Sequence, residues 1–285
     1  MKTTYDCIPC FIRQTLEAVR FATSNEAVHE SVLREILSNV STMDLQTSPP
    51  VMGQHIHRLI RQFTKNDDPY KDVKDRMNQL VLSLYPVLKD MVKMSSDKFD
   101  TAIRLSIAGN IIDFGVNTKF DKTMIDNAIE SSISGQIFGS TKQLYQSIGT
   151  AKKILYLGDN AGEIVFDRIF IEQLPSEKII FAVRGKPILN DATLDDAAVT
   201  GITDLVEVID NGSDAPGTVL NECSEHFRQC FQEADIVISK GQGNYETLSN
   251  EKKNLFFLLK AKCPVIAKHI GCKIGDQVVI RPSNF

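Results

Sequence analysis

Asp159 and Asn160 sit side by side at the end of a short apolar run, inside the stretch Lys153–Asp167, KILYLGDNAGEIVFD. Ile154, Leu155, Tyr156 and Leu157 have the length and composition of a buried strand, Gly158 ends it, and helical spacing resumes with Ile164, Val165 and Ile169. A carboxylate and an amide at a strand-to-helix turn offer hard oxygen atoms at the sheet edge where α/β proteins bind ligands. The chemistry they suit is the holding of a divalent metal that handles a phosphate ester. The same two residue types also serve as caps for the helix that follows. On this stretch alone both readings stand.

Three more loops of similar character follow. After Ile179–Val183 comes RGKPILND, with Arg184, Lys186, Asn190 and Asp191. After Leu205–Ile209 comes DNGSDAPGT, with Asp210, Asn211, Ser213 and Thr218. After Ile236–Ser239 comes KGQGNYE, with Lys240, Gln242, Asn244 and Glu246. In a parallel sheet all four loops leave the same edge and can share one site. Asp159, the amide oxygen of Asn160, and Asp191 would give three ligands and leave positions open for water and phosphate. Lys240 with Gly241 and Gly243 suits an anion, because glycine lets backbone N–H groups approach and lysine adds a point charge. The P-loop order GxxxxGK[ST] is missing, and GDNAGE is not GxGxxG, which counts against a dehydrogenase. No HExxH or paired CxxC knuckles point to catalytic zinc.

The elements that must position these loops read as two parts. Residues 1 to about 145 are helical in period, with repeats at Ile12, Leu16 and Val19 and at Val32, Ile36 and Val40. The clearest helix starts near Tyr70 and carries the stripe Val73, Met77, Leu80, Val81, Leu84, Leu88 and Met91. Another, from Ala102 through Leu105, Ile107 and Ala108, ends at Gly109. From about Lys152 the period changes to strand–helix alternation, with Val265–Ala267 as a weaker fifth strand and Val278–Ile280 as an edge strand. The expected fold is α/β: a helical part, 1–145, packed on a Rossmann-like core, 146–285, with a mainly parallel sheet.

Composition narrows the function classes. The chain has 285 residues, 42% hydrophobic and 24% charged, with a formal net charge of -4 and a pI near 5.8. That balance argues against a nucleic-acid surface. No apolar run approaches the roughly 20 residues that span a bilayer, and MKTTYDCIPCF carries no signal-peptide core, so the expected location is cytoplasmic. Six cysteines then read as reduced thiols. Cys7 and Cys10 at CxxC spacing leave zinc binding, redox pairing and packing open, with His55 and His57 as conceivable partners on different helix faces. Asn110 and Asp113 either reach the cleft or form a helix-terminal turn. Asp68 before Pro69 reads as a helix cap. Oligomeric state is left open.

Taken together, CIPC at Cys7–Cys10, DPYK at Asp68–Lys71, GNIIDFG at Gly109–Gly115, GDNAGE, LND and KGQGNYE resemble the DUF89 family of metal-dependent damage-control phosphatases, in its CxxC-containing branch. The resemblance covers nearly the whole chain. It implies a helical part on a Rossmann-like core and hydrolysis of phosphomonoesters, including sugar phosphates and damaged or surplus phosphometabolites, with Mn²⁺, Co²⁺, Ni²⁺ or Mg²⁺. It implies Asp159, Asn160 and Asp191 as metal ligands and Glu163 beside them. The KGxGN loop carries over as Lys240, Gly241, Gly243 and Asn244, with Gln242 inside it. Lys262, or alternatively Lys260, would be a further substrate-contacting lysine, and Asn110 would approach from the helical part. On this reading Lys240 stabilises charge on the phosphate and water attacks directly, since an aspartate engaged as a ligand is a poor nucleophile. Two rivals are an S-adenosylmethionine-dependent methyltransferase and a non-enzymatic metal- or nucleotide-binding module. The first would need a glycine-rich loop after the first strand and an acidic end to the second, where this chain has DNAGE and Arg184.

Overall fold

Helices give way to the sheet earlier than the switch in period near residue 150 suggests: Ile137–Gly139, inside the part expected to be helical, already forms an edge strand, too short to show a period of its own. The computed structural model describes residues 1–111 and 122–282; Asp113 lies outside them. Six helices come first: α1 (Cys7–Ala22), α2 (Glu26–Thr42), α3 (Pro49–Thr64), α4 (Lys71–Met94), α5 (Lys98–Ile111) and α6 (Lys122–Ser134). Then follow β1 (Ile137–Gly139), α7 (Thr141–Thr150), β2 (Ile154–Leu157), α8 (Glu163–Ile171), β3 (Ile179–Val183), α9 (Leu194–Val199) and β4 (Glu207–Asp210). The chain closes with α10 (Glu225–Glu233), β5 (Ile236–Lys240), α11 (Gln242–Leu248), β6 (Leu255–Lys260), α12 (Pro264–Ile270) and β7 (Gln277–Ile280).

Local chemistry explains several of these boundaries. Asn25 caps α2 by accepting the Ala27 N–H. Pro49 and Pro50 open α3, where a missing N–H costs nothing. Met77, Val81, Leu84, Leu88 and Val92 form the buried stripe of α4, as its period predicts. Helices α1, α2 and α3 bury a cluster of their own around Phe11, Val19, Val32, Ile36, Ile56 and Ile60.

The seven strands form one sheet in the order β1-β7-β6-β5-β2-β3-β4, parallel except where β6 meets β7. Successive side chains of β2 go to opposite faces. Ile154 and Tyr156 pack with α4, α5 and α8, and Leu155 and Leu157 pack with Phe227, Phe231 and Ile266 on the other side. The result is the α/β architecture expected. Helix α8 is buried almost all round because the sheet covers one side of it and α4 and α5 cover the other.

Some strand expectations are corrected. Val265–Ala267 lies in α12, which Pro264 opens; the strand there is β6, whose first five residues are all buried. With both faces covered, β6 shows no alternation to distinguish it from a helix core. Val278–Ile280 belongs to β7, which pairs on both sides, and β1 takes the edge instead. Strand β4 starts two residues later than expected.

From β2 the chain steps outward through β3 and β4, then returns to the other side of β2 through β5. The gap between the ends of β2 and β5 is therefore the switch point where open α/β sheets bind ligands. Helix α3 is tied to the loop after β4 beside it. Arg58 donates from Nε and Nη2 to Asp214 (3.0 and 2.6 Å), Gln54 adds a bond of 2.8 Å, and Arg61 donates as well. Burial alone would raise the Asp214 carboxyl, but these donors, Arg58 foremost, hold it down at about 2. A depressed carboxyl contributes stability above its unfolded pKa and loses it as pH falls through the folded one. Asp214→Asn should cost about 1–3 kcal/mol at pH 7 in urea unfolding, and the gap from the parent protein should close as pH falls from 4 towards 2.

Candidate active site

Asp159 leaves the end of β2, and its carboxylate lies against the backbone of Gly241 at the end of β5. A Cβ on Gly241 would stand 1.9 Å from Asp159 Oδ2, and φ at this glycine is +78°. Glycine is needed there to admit the Asp159 side chain and to hold a left-handed turn. The loop bearing Asp191 is laced to the same turn: Ala192 N–H donates to Asp159 O (2.8 Å) and Ala161 N–H to Asn190 O (2.8 Å), and Asn160 and Asp191 form an isolated antiparallel bridge. Asp159, Asn160 and Asp191 consequently share one cleft of about 400 Å³.

Asn160 Nδ2 donates to Asp159 Oδ2 (3.0 Å) and to Glu163 Oε2 (2.9 Å), which turns its carbonyl oxygen away from those carboxylates. Asn110 repeats the contact from α5, with Nδ2 at 3.2 Å from Asp159 Oδ2 and 3.3 Å from Glu163 Oε2. Its own oxygen accepts the Lys260 N–H (3.2 Å). Asn110 reaches this position because α5 presses on α8 at Gly109, where an added Cβ would meet Phe166 at 3.0 Å and Glu163 at 3.1 Å.

Lys240 and Asn244 are placed differently from the expectation. Lys240 is fully buried, and Nζ binds Ser106 O (2.9 Å), Asp167 Oδ1 (2.5 Å) and Glu163 Oε1 (2.8 Å). With two hydrogen bonds, to Ser106 and Asp167, and an ion pair to Glu163, it stands behind the cleft and does not meet a phosphate there. Asp167 also accepts from Ser106 Oγ (2.7 Å) and Tyr156 OH (2.8 Å). Burial opposes a charged lysine, yet the Asp167 and Glu163 charges raise its pKa all the same. Asn244 is buried too; its oxygen accepts from Arg184 Nη1 (3.1 Å) and Thr218 Oγ1 (2.8 Å).

Arg184 therefore is not the solvated loop charge its sequence context allows. It is buried, Nε donates to Asp191 Oδ2 (2.6 Å), and Nη2 lies 3.6 Å from Asp159 Oδ1. The signal in the sequence was its place directly after a strand that ends in the shared edge. Ser106, Tyr156 and Asp167 gave no such signal, because they sit mid-element and become neighbours only through packing.

Gln242, Gly243 and Lys262 line the cleft, and Gln242 Oε1 accepts the Lys262 N–H (2.5 Å). The opposite wall comes from α1 and the start of α3, with Cys7, Cys10, Arg13, Gln14 and Pro49. His57 stays apart, buried at 5.9 Å from the Tyr70 ring, and burial pulls its ring down to about 3. A larger cavity of about 740 Å³ opens at the other sheet edge, by Ile154, Ile179 and Glu207. It lies at strand starts, away from the switch point.

Burial raises the Asp159 carboxyl well above its ordinary range, and the charges of Glu163 and Asp191 push the same way, against Arg184 and Lys262. Asp191 is likewise raised by burial despite Arg184. Among the described residues no three His, Cys, Asp or Glu side chains gather to hold a metal by themselves. The donor set that fits a hard cation is two carboxylates plus the Asn160 amide oxygen, and a dication there would relieve the crowding of negative charge.

The buried Lys240 makes a prediction that separates support from substrate contact. Lys240→Met leaves two buried carboxylates without their counter-charge and should lower stability by about 3–5 kcal/mol. A lysine that only touched substrate would leave the denaturation midpoint almost where it was.

Comparison with known proteins agrees with this architecture. A family model described as the damage-control phosphatase ARMT1-like domain matches residues 3–278. A damage-control phosphatase of Pyrococcus horikoshii is 32% identical over 99% of this chain and 98% of its own length. Another, from Archaeoglobus fulgidus, is 32% identical over 98% of each. An uncharacterized protein of Methanocaldococcus jannaschii is 34% identical over 99% of this chain and 96% of its own. The crystal structure of a DUF89 family protein from Pyrococcus horikoshii superposes with a TM-score of 0.91, at 30% identity, covering 99% of this chain and all of that one. The chain belongs to the damage-control phosphatase ARMT1-like, or DUF89, family.

Proposed function

We propose that this protein is a metal-dependent phosphatase acting on small phosphomonoesters, sugar phosphates or damaged and surplus phosphometabolites among them. The observation that carries the reading is the convergence of Asp159, Asn160 and Asp191 in one cleft at the switch point of the sheet. The names of the Pyrococcus and Archaeoglobus relatives support it.

Asp159, Asn160 and Asp191 would hold the cation, with Mn²⁺, Co²⁺, Ni²⁺ and Mg²⁺ as candidates. When bound, such an ion neutralises phosphoryl charge and makes a water more acidic. Lys262 adds positive charge to the same cleft, in the role first expected of Lys240. Arg184 orients Asp191, and Lys240 orients Asn160 and Asn110 through Glu163. Asp159, if engaged in holding the cation, would be a poor nucleophile, so attack would fall to water. At about 400 Å³ the cleft suits a small metabolite. The methyltransferase alternative is disfavoured because the residue directly after β3, Arg184, is a cation committed to Asp191.

Purified protein stripped with a chelator should release no phosphate from an aryl phosphate, and Mn²⁺ or Co²⁺ should restore release. Asp159→Ala should lower turnover by more than about 10³-fold, the loss expected when the principal electrostatic contributions to the transition state disappear, while its circular dichroism stays that of the parent. Full activity in Asp159→Ala, or release that ignores metal, would overturn the reading.

A further inference from the structure

We infer that Glu246 meets the alcohol side of the substrate and delivers a proton to the leaving oxygen; the inference rests on the phosphatase reading above. Nothing in that reading uses this residue, although it lines the same cleft as Asp159, Asn160 and Asp191.

Its position follows from the geometry of α11. Gln242, Gly243 and Glu246 line the cleft, a spacing that puts them on one face of the helix. Gly241, directly before the helix, is the residue packed against the Asp159 carboxylate. At about 1.5 Å of rise per residue, position 246 lies roughly 7 Å further along the axis. In the pose we infer, a phosphoryl group at Asp159 and Asp191 with its alcohol lying along α11 would bring the ester oxygen towards Glu246. Among the described residues the Glu246 carboxyl makes no hydrogen bond and no ion pair; its backbone carbonyl accepts from the Met1 ammonium (2.5 Å). The other carboxylates near the phosphoryl site are committed: Asp191 to Arg184, and Glu163 to Asn160 and Lys240.

Protonation suits the task. Burial pushes the Glu246 carboxyl up to about 7, against the pull of the Met1 ammonium. The other titratable or charged groups around it are Cys263 at the start of α12 and Lys262 before it, with Asp6, Cys7 and Arg13 on the facing wall. A general acid works best when its pKa lies near the working pH. In the step, a P–O bond to water forms as the P–O bond to the alcohol breaks. The electron pair of the broken bond stays on the alcohol oxygen, which takes the Glu246 proton. The product leaves the phosphorus as dihydrogen phosphate and returns one proton to the Glu246 carboxylate, so the cycle closes.

The test is a series of aryl phosphates in Mn²⁺, from 4-nitrophenyl phosphate to phenyl phosphate, extended to glycerol phosphate, for the parent protein and Glu246→Gln. Good leaving groups need little protonation, so the variant should lose less than about 3-fold on 4-nitrophenyl phosphate and on the order of 100-fold on glycerol phosphate. The parent's kcat on glycerol phosphate should decline above about pH 7, and that limb should vanish in the variant. Glu246→Asp should recover part of the loss. An equal loss across the series, or none, overturns the assignment of Glu246 alone. A parent protein that hydrolyses no member of the series with any of the four cations overturns the phosphatase reading with it.

Discussion

One buried ammonium holds the site in shape. Lys240 Nζ, fully removed from water, spans Glu163 at the start of α8, Asp167 one turn further on, and the Ser106 carbonyl of α5. A charge in such a place is tolerated only when paired and hydrogen-bonded, and here it has two carboxylates as ion-pair partners and hydrogen bonds to Asp167 and Ser106. The arrangement locks the end of β5 to the start and middle of α8 and to the interior of α5. It also sets the direction of the Glu163 carboxylate, on which the amides of Asn160 and Asn110 depend. The ligand geometry of the cleft is thus decided one layer behind it.

A second constraint is close approach. The turn after β5 can touch the Asp159 carboxylate only because residue 241 has no side chain, and α5 can reach α8 only because residue 109 has none. The glycines beside Lys240, read as backbone room for an anion, here serve neighbouring protein atoms. Gly243 shows the same thing, since a Cβ on it would strike the Pro216 carbonyl at 2.0 Å. Anchored by Asp214, the three N-terminal helices then bring α1 across as the facing wall. Cys7 and Cys10 come to line the cleft beside Asp159 and Asp191 in this way.

How much was legible in the residues alone varied with the kind of signal. The short apolar runs of β2, β3 and β5 were readable because a polar, glycine-bearing loop follows each of them, with Gly158, Gly185 and Gly241. Strand β6 was not, since a run buried on both faces has no periodicity to separate it from a buried helix. Asp159, Asn160 and Asp191 were readable as oxygen donors placed after strands that a parallel sheet aligns. Lys240 was read as facing phosphate and is instead buried against Asp167 and Glu163, for a lysine next to glycines looks alike whether it faces a cleft or a buried aspartate.

The sequence by itself determined the alternation of strands and helices, the edge on which the chemistry collects, and the residue types able to bind a hard cation. These follow from period, turn residues and side-chain chemistry, all of which are local. Only the tertiary structure decided which polar groups line the cleft and which stand behind it: Arg184 against Asp191, Lys240 against Glu163 and Asp167, Glu246 on the cleft wall. Burial and pairing depend on residues brought together from positions as far apart as Ser106 and Lys240, and no spacing within one segment encodes that encounter.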